Sequence, residues 1–237
     1  MNAFEFHCPT KIICGEGALH KLPVKIADRG VTKPLIVTDA NLVKLGIAEQ
    51  VFTPLREADV NYSLYDHVPP DSSLNVVNEV ATLYREEKCD GWIALGGGSV
   101  IDTAKGAAAS VSVGEKDFTD LQGSEILQDE LDPLIAIPTT AGTGSEVTLV
   151  AVVADTENHA KLSYTSYRLV PHIAFLDPKL TASLPPRLTA TTGIDALTHA
   201  IEAYTSIQKN PISDALAQQA ISLISKNLAL SCAEPGN

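Results

Sequence analysis

The strongest constraint on this chain is a run of three glycines between an apolar segment and an alanine-rich one: Gly91-Trp92-Ile93-Ala94-Leu95-Gly96-Gly97-Gly98-Ser99-Val100-Ile101-Asp102. Residues 91–95 read as a short buried strand, and Val100 to Val111 as a close-packed helix. Glycines between a strand and a helix let backbone N–H groups approach a ligand. The helix start adds free donors and partial positive charge. That arrangement suits a pyrophosphate. A tight strand-to-helix turn that binds nothing has the same pattern, although consecutive glycines are costly to order.

The same alternation of strand and helix runs on either side. Leu35 to Asp39 reads as a buried strand after Lys33-Pro34, and Leu42 to Leu55 as a helix. Tyr62 to Tyr65 is a weaker strand. Pro69 to Ser73 is a loop ending in good N-cap residues, before a helical face at Val76, Val77, Val80, Leu83 and Tyr84. Leu134 to Ile137 is a strand closed by Pro138, Val147 to Ala154 is a β-branched run, and Ile173 to Asp177 reads as one more strand. Strands alternating with helices predict an α/β domain with a mainly parallel sheet covered on both faces. Beyond Leu184-Pro185-Pro186 strand candidates cease, and Leu188 to Tyr204 and Ile212 to Leu230 read as helices. The expected division is an α/β domain over residues 1–184 and a helical part over 185–237. So short a helical part buries little by itself, so it either packs on the α/β domain or begins a longer helical domain.

Composition narrows the partners. The chain has 237 residues, 45% of them hydrophobic and 19% charged, which supports a sizeable core and excludes wholesale disorder. Lys+Arg 17 against Asp+Glu 29 gives a net charge of −12, which repels phosphate backbones and argues against a nucleic-acid partner. No apolar run reaches the ~18 residues of a membrane span, and the N-terminus has no signal-peptide pattern. Cys8, Cys14, Cys89 and Cys232 form no C-x-x-C pair and read as free thiols of a reducing compartment. A cytoplasmic protein is the expectation.

Three further features carry chemistry. Asp39 ends the strand from Leu35, where its carboxylate can accept from ribose hydroxyls and repel a 2′-phosphate, which favours NAD over NADP. On position alone it serves equally well to cap the next helix. The loop Pro138-Thr139-Thr140-Ala141-Gly142-Thr143-Gly144-Ser145-Glu146-Val147-Thr148 follows a strand on the edge where open α/β sheets take ligands. Asp195 and His199 stand four residues apart, on one face of a helix. A carboxylate and an imidazole suit Fe2+, Zn2+ or Mn2+, but an Asp–His hydrogen bond on a helix surface has the same spacing.

Taken together, these motifs resemble the iron-containing (group III) alcohol dehydrogenases. The resemblance rests on Gly96-Gly97-Gly98-Ser99 with Asp102 and Lys105, on Pro138 to Glu146, and on Gly193-Ile194-Asp195-Ala196-Leu197-Thr198-His199-Ala200-Ile201-Glu202-Ala203-Tyr204, in that order. Pro9 to Gly17 and Asp177-Pro178 also match, so it covers nearly the whole chain. It implies the dehydroquinate synthase-like fold: a Rossmann-like domain that binds NAD, then an all-helical domain that holds most of the metal site. Gly97, Gly98 and Ser99 would lie on the pyrophosphate, Asp39 on the adenosine ribose, and Thr139, Thr140 and Thr148 near the phosphates and the nicotinamide ribose. Lys161 matches a lysine that reaches the cofactor, and Asp195 and His199 match the first two metal ligands.

The implied activity is hydride transfer between an alcohol and NAD, the metal acting as a Lewis acid on the alcohol oxygen, with no general base carried over. A small-molecule alcohol or aldehyde is the implied partner, and a homodimer or larger homo-oligomer the implied assembly. The chain departs from the family in two places. Pro69-Pro70-Asp71 stands where an asparagine-containing loop is usual, and no histidine follows His199, where the family has two more ligands. The chain is therefore expected to lack a C-terminal portion. Two alternatives stand beside the enzyme: an inactive NAD-binding module, and a zinc-dependent glycerol or polyol dehydrogenase of the same superfamily.

Overall fold

The computed structural model describes residues 3–114, 123–124, 127, 129–156 and 158–234. The chain divides into two compact units, one of Thr10–Thr139 with Ser145–Asp177, the other of Met1–Pro9, Thr140–Gly144 and Pro178–Asn237.

The first unit holds the strands β1 (Lys11–Cys14), β2 (Pro34–Val37), β3 (Ser63–Tyr65), β4 (Gly91–Gly96), β5 (Gly123–Ser124), β6 (Leu134–Pro138), β7 (Val150–Asp155), β8 (Ala160–Thr165) and β9 (Ile173–Leu176). Its helices are α1 (Leu22–Ala27), α2 (Ala40–Lys44), α3 (Glu49–Glu57), α4 (Leu74–Glu86) and α5 (Gly98–Ser112).

Among the described residues, six strands form one sheet in the order β1-β9-β6-β4-β2-β3. Every neighbouring pair is parallel. A parallel strand buried on both faces needs an unbroken apolar run. Leu35-Ile36-Val37, Trp92-Ile93-Ala94-Leu95 and Leu134-Ile135-Ala136-Ile137 supply it, and β2, β4 and β6 are buried throughout. The edge strands β1 and β3 are largely exposed or half-buried. From β2 the chain turns outward to β3, whereas from β4 it runs the other way to β6. The reversal makes a switch point between the C-terminal ends of β2 and β4, the place where open α/β sheets take ligands.

Small residues bring α5 close to the sheet. Ala104, Ala107, Ala108 and Ala109 are all buried, as is Thr103. On α4, the Tyr84 ring stacks on Trp92 of β4 with centroids 3.9 Å apart, and its hydroxyl donates to Asp132 at 2.6 Å. The single helix expected over Leu42 to Leu55 is instead α2 followed by α3. Gly46, between them, takes φ +73°, a left-handed conformation that ends a helix.

The β-branched run expected at Val147 to Ala154 begins as a strand at Val150 and lies in a second, three-stranded sheet of order β5-β8-β7. There β7 and β8 pair antiparallel, from Val150 opposite Thr165 to Asp155 opposite Ala160. Asp155 shapes their turn by accepting from the Asn158 amide at 3.0 Å and its side chain at 2.7 Å.

The second unit contains α6 (Pro178–Thr181), α7 (Pro186–Thr205) and α8 (Pro211–Ala233), with α7 and α8 packed against each other. Each long helix starts with proline, whose missing N–H is no loss in a first turn. Asn210 caps α8 in a reciprocal box with Ser213. A Cβ on Gly193 would stand 2.3 Å from a Leu228 methyl, so the Leu228 side chain packs over α7 where glycine leaves it room. Gly142 meets α7 in the same way, at Thr192, which seats the Thr140–Gly144 loop on this unit. Among the described residues, no helix is long and apolar enough to cross a membrane.

Candidate cofactor site and metal pair

The glycine turn sits at the switch point of the first unit. A Cβ on Gly96 would stand 2.5 Å from a Val100 methyl and 2.7 Å from its Cβ, so the strand can pass into the helix only through glycine. α5 follows with Gly97 as its N-cap, in extended conformation, and no side chain caps the helix. The Gly97 carbonyl accepts from the amides of Val100 and Ile101, both at 3.1 Å. An uncapped start on a 15-residue helix is a ready anion site.

Neighbouring strand ends are stitched to this turn. The Thr38 hydroxyl donates to the Leu95 carbonyl at 2.8 Å, tying β2 to β4, and the Thr139 amide donates to the Gly96 carbonyl at 3.0 Å, tying on the residue after β6. Ser99 donates to the Pro70 carbonyl, which holds the Pro69–Ser73 loop against the same turn. Gly97, Gly98, Ser99, Asp39 and Thr139 thus share one edge of the sheet. Asp39 Oδ1 accepts from the amides of Asn41 at 2.9 Å and Leu42 at 3.1 Å, so this carboxylate caps α2. Lys161, on β8, is exposed, with its ammonium 3.9 Å from Asp71.

Thr148 precedes β7 and is held by a residue that the sequence marked only through its motif. Lys105 on α5 is fully buried. Its ammonium donates to the Thr148 carbonyl at 2.7 Å, the Thr148 hydroxyl at 3.2 Å and the Val150 carbonyl at 3.0 Å. Burial pushes its pKa down to about 8, against the opposing pull of the Asp102 and Glu146 carboxylates. Burial raises both carboxyls above the usual range, and the nearby ammonium limits the rise. A lysine set between Ala104 and Gly106 in an alanine-rich helix is the sequence signal that would have found it, since such a helix face is buried.

The second unit holds the remaining candidates. Asp195 and His199 lie one turn apart on α7, with carboxylate oxygen and Nε2 3.7 Å apart and side chains about half exposed. Glu202 stands 3.9 Å from His199 Nδ1. Thr140, in the loop that meets α7, is half-buried. Protein metal sites usually have three or four protein ligands. Among the described residues no group of three or more His, Cys, Asp or Glu side chains is placed to hold a metal ion. The pair offers suitable donors for iron or zinc but not a complete site.

The family description "iron-containing alcohol dehydrogenase" matches residues 9–178, and "Fe-containing alcohol dehydrogenase family, C-terminal" matches residues 189–237. The chain belongs to the iron-containing alcohol dehydrogenase family. Its α/β architecture is that family's N-terminal portion. The choline dehydrogenase of Bacillus subtilis (strain 168) is 43% identical over 218 residues, 91% of this chain and 54% of that protein. The chain thus spans about half the length of the curated relatives it matches. A solved 1,3-propanediol oxidoreductase superposes with a TM-score of 0.96 at 38% identity, covering 100% of this chain and 62% of that one. A sulfoacetaldehyde reductase from Bifidobacterium kashiwanohense, solved in complex with NAD+, superposes with a TM-score of 0.91 at 31% identity, covering 100% and 62%.

Proposed function

We propose that this chain is the cofactor-binding part, with the first metal donors, of an NAD-dependent alcohol dehydrogenase. The reaction moves hydride between a primary or secondary alcohol and NAD, or back to an aldehyde or ketone. One observation carries the reading: the uncapped glycine turn at the switch point of a parallel sheet, with Asp39 on the adjoining strand end.

In this reading residues 1–184 bind the dinucleotide, and residues 185–237 begin the helical metal and substrate domain. The pyrophosphate lies on the backbone of Gly97, Gly98 and Ser99, where the helix start favours negative charge. Asp39 accepts from the adenosine ribose and repels a 2′-phosphate. Thr139, Thr140 and Thr148 line the phosphates and the nicotinamide ribose, and the Lys161 ammonium meets the diphosphate charge. NAD supplies the ring that accepts hydride, and the protein supplies its orientation. Asp195 and His199 are two donors to an iron or zinc ion. Two donors do not complete a site. The ligand count also favours a second reading, an NAD-binding module without turnover.

The test is a titration of the chain with NADH, followed by energy transfer from Trp92, the one tryptophan, on the strand that ends in the glycine turn. Saturable binding is expected. No binding by a chain that melts cooperatively would overturn both readings. Binding without alcohol-dependent NAD reduction, with Fe2+ added anaerobically, would select the module.

A further inference from the structure

Among the described residues β7 is an edge strand of the second sheet: β8 pairs along one side of it, and on the other an isolated parallel bridge joins Ala154 to Ser73. On that other side stand the Val150 carbonyl and the Val152 and Ala154 amides, with the Thr148 carbonyl just ahead of the strand. An edge of this kind needs partners when it is packed against a helix. Each of these groups has one. Lys105 donates to both carbonyls, Asp102 Oδ2 accepts from the Val152 amide at 3.1 Å, and the Ser72 carbonyl accepts from the Ala154 amide at 2.7 Å. Two side chains one turn apart on α5 thus do the work of a neighbouring strand.

The arrangement has a direction. α5 begins at the glycine turn, and Lys105 and Asp102 are rigid parts of that helix. Whatever they hold is set in register with the anion site at the helix start. Lys105 holds Thr148 directly, through both its carbonyl and its hydroxyl, and Asp102 holds the strand that follows it at the Val152 amide.

We propose that Lys105 and Asp102 are positioning residues for the nicotinamide half of the cofactor. They act by fixing Thr148 relative to the glycine turn, and touch no part of the cofactor themselves. The proposal rests on the assignment of Thr148 to the cofactor.

The test measures NADH affinity of the full chain as wild type, Thr148→Val, Lys105→Met and the double variant, with AMP binding measured by calorimetry. AMP carries only the adenosine half. Thr148→Val should weaken NADH about five- to tenfold, as loss of a hydroxyl hydrogen bond does. Lys105→Met should weaken it at least as much and leave AMP binding unchanged. The double variant should bind no more weakly than Lys105→Met alone, because the residues act as one unit. If Thr148→Val weakens NADH but Lys105→Met does not, or if the two losses multiply, the positioning role is wrong and the Thr148 assignment survives. Equal loss of AMP and NADH binding would make Lys105 merely structural and overturn the proposal. If Thr148→Val leaves NADH affinity unchanged, the Thr148 assignment fails and the proposal with it. Should Lys105→Met not melt cooperatively, Asp102→Ala carries the same expectations, since it removes the acceptor of the Val152 amide and leaves Lys105 in place.

Discussion

Asp39 commits one carboxylate oxygen to capping α2, accepting from Asn41 and Leu42. A cap needs an acceptor, not a charge, whereas rejecting a 2′-phosphate needs the charge. Two substitutions separate the roles. Asp39→Asn keeps an acceptor and loses the charge. Asp39→Gly loses the side chain, yet glycine at an N-cap costs only a few tenths of a kcal/mol. Both should melt near wild type and lower the preference for NADH over NADPH about tenfold, equivalent to about 1.4 kcal/mol. Competition titrations read the ratio, and an unchanged ratio would leave Asp39 as a cap alone. Lys105 permits a different test, through pH. An unfolded lysine titrates at about 10.4, and burial brings this one to about 8. Between those values the unfolded chain binds more protons than the folded one, so stability from this group rises with pH. Below about pH 8 the cost of burying the charge is present in full, and it is relieved as pH climbs toward about 10.5, by on the order of 3 kcal/mol. Urea unfolding of wild type and Lys105→Met across that window should show the wild type gaining relative to the variant. A constant difference would mean that Lys105 keeps an ordinary pKa.

At the level of elements, what the sequence made legible follows from how each element is buried. β2, β4, β6 and β9 are apolar runs because parallel strands covered on both faces have no polar side to show, and they stand out for that reason. α4, α5, α7 and α8 carry long helical patterns and lie within a few residues of where those patterns predict. β1 and β8 are not among the elements that the sequence pattern predicts. Lys11-Ile12-Ile13-Cys14 is short and mostly exposed, whereas Ala160 to Thr165 does alternate polar with apolar, as a half-buried strand does. The break between α2 and α3 depends on the sign of φ at Gly46, which apolar spacing does not record. For the site, the glycine turn was legible because its residue types have few other uses in that place. The edge partnership of Lys105 and Asp102 with β7 was not, since it joins residues about 45 positions apart in sequence through backbone atoms.

At the scale of the whole molecule, the cofactor candidates and the metal pair have different prospects. Asp39, Gly97, Gly98, Ser99, Thr139, Thr148 and Lys161 belong to one compact unit, and Asp195 and His199 to the other. The first group has a shaped anion site with its backbone stitched on three strand ends. The second has two donors on one helix, half open to water, where a competing solvent shell is always available. Chelation gains its strength from several donors placed in advance, and two donors leave most of the coordination to water. The 237-residue chain should therefore bind NADH with an affinity that ignores Fe2+, retain iron far below stoichiometry after desalting, and oxidise alcohols poorly. Asp195→Ala and His199→Ala should abolish what iron remains and leave the NADH titration unchanged, because the glycine turn and Asp39 belong to the first unit and Asp195 and His199 to the second. Anaerobic loading, metal analysis, the Trp92 titration and an alcohol-dependent NAD reduction assay on the same sample test these expectations. Stoichiometric iron with ordinary turnover would mean that donors other than Asp195 and His199 complete the site. Loss of NADH binding in the Asp195 or His199 variants would mean that cofactor and metal donors act as one coupled site.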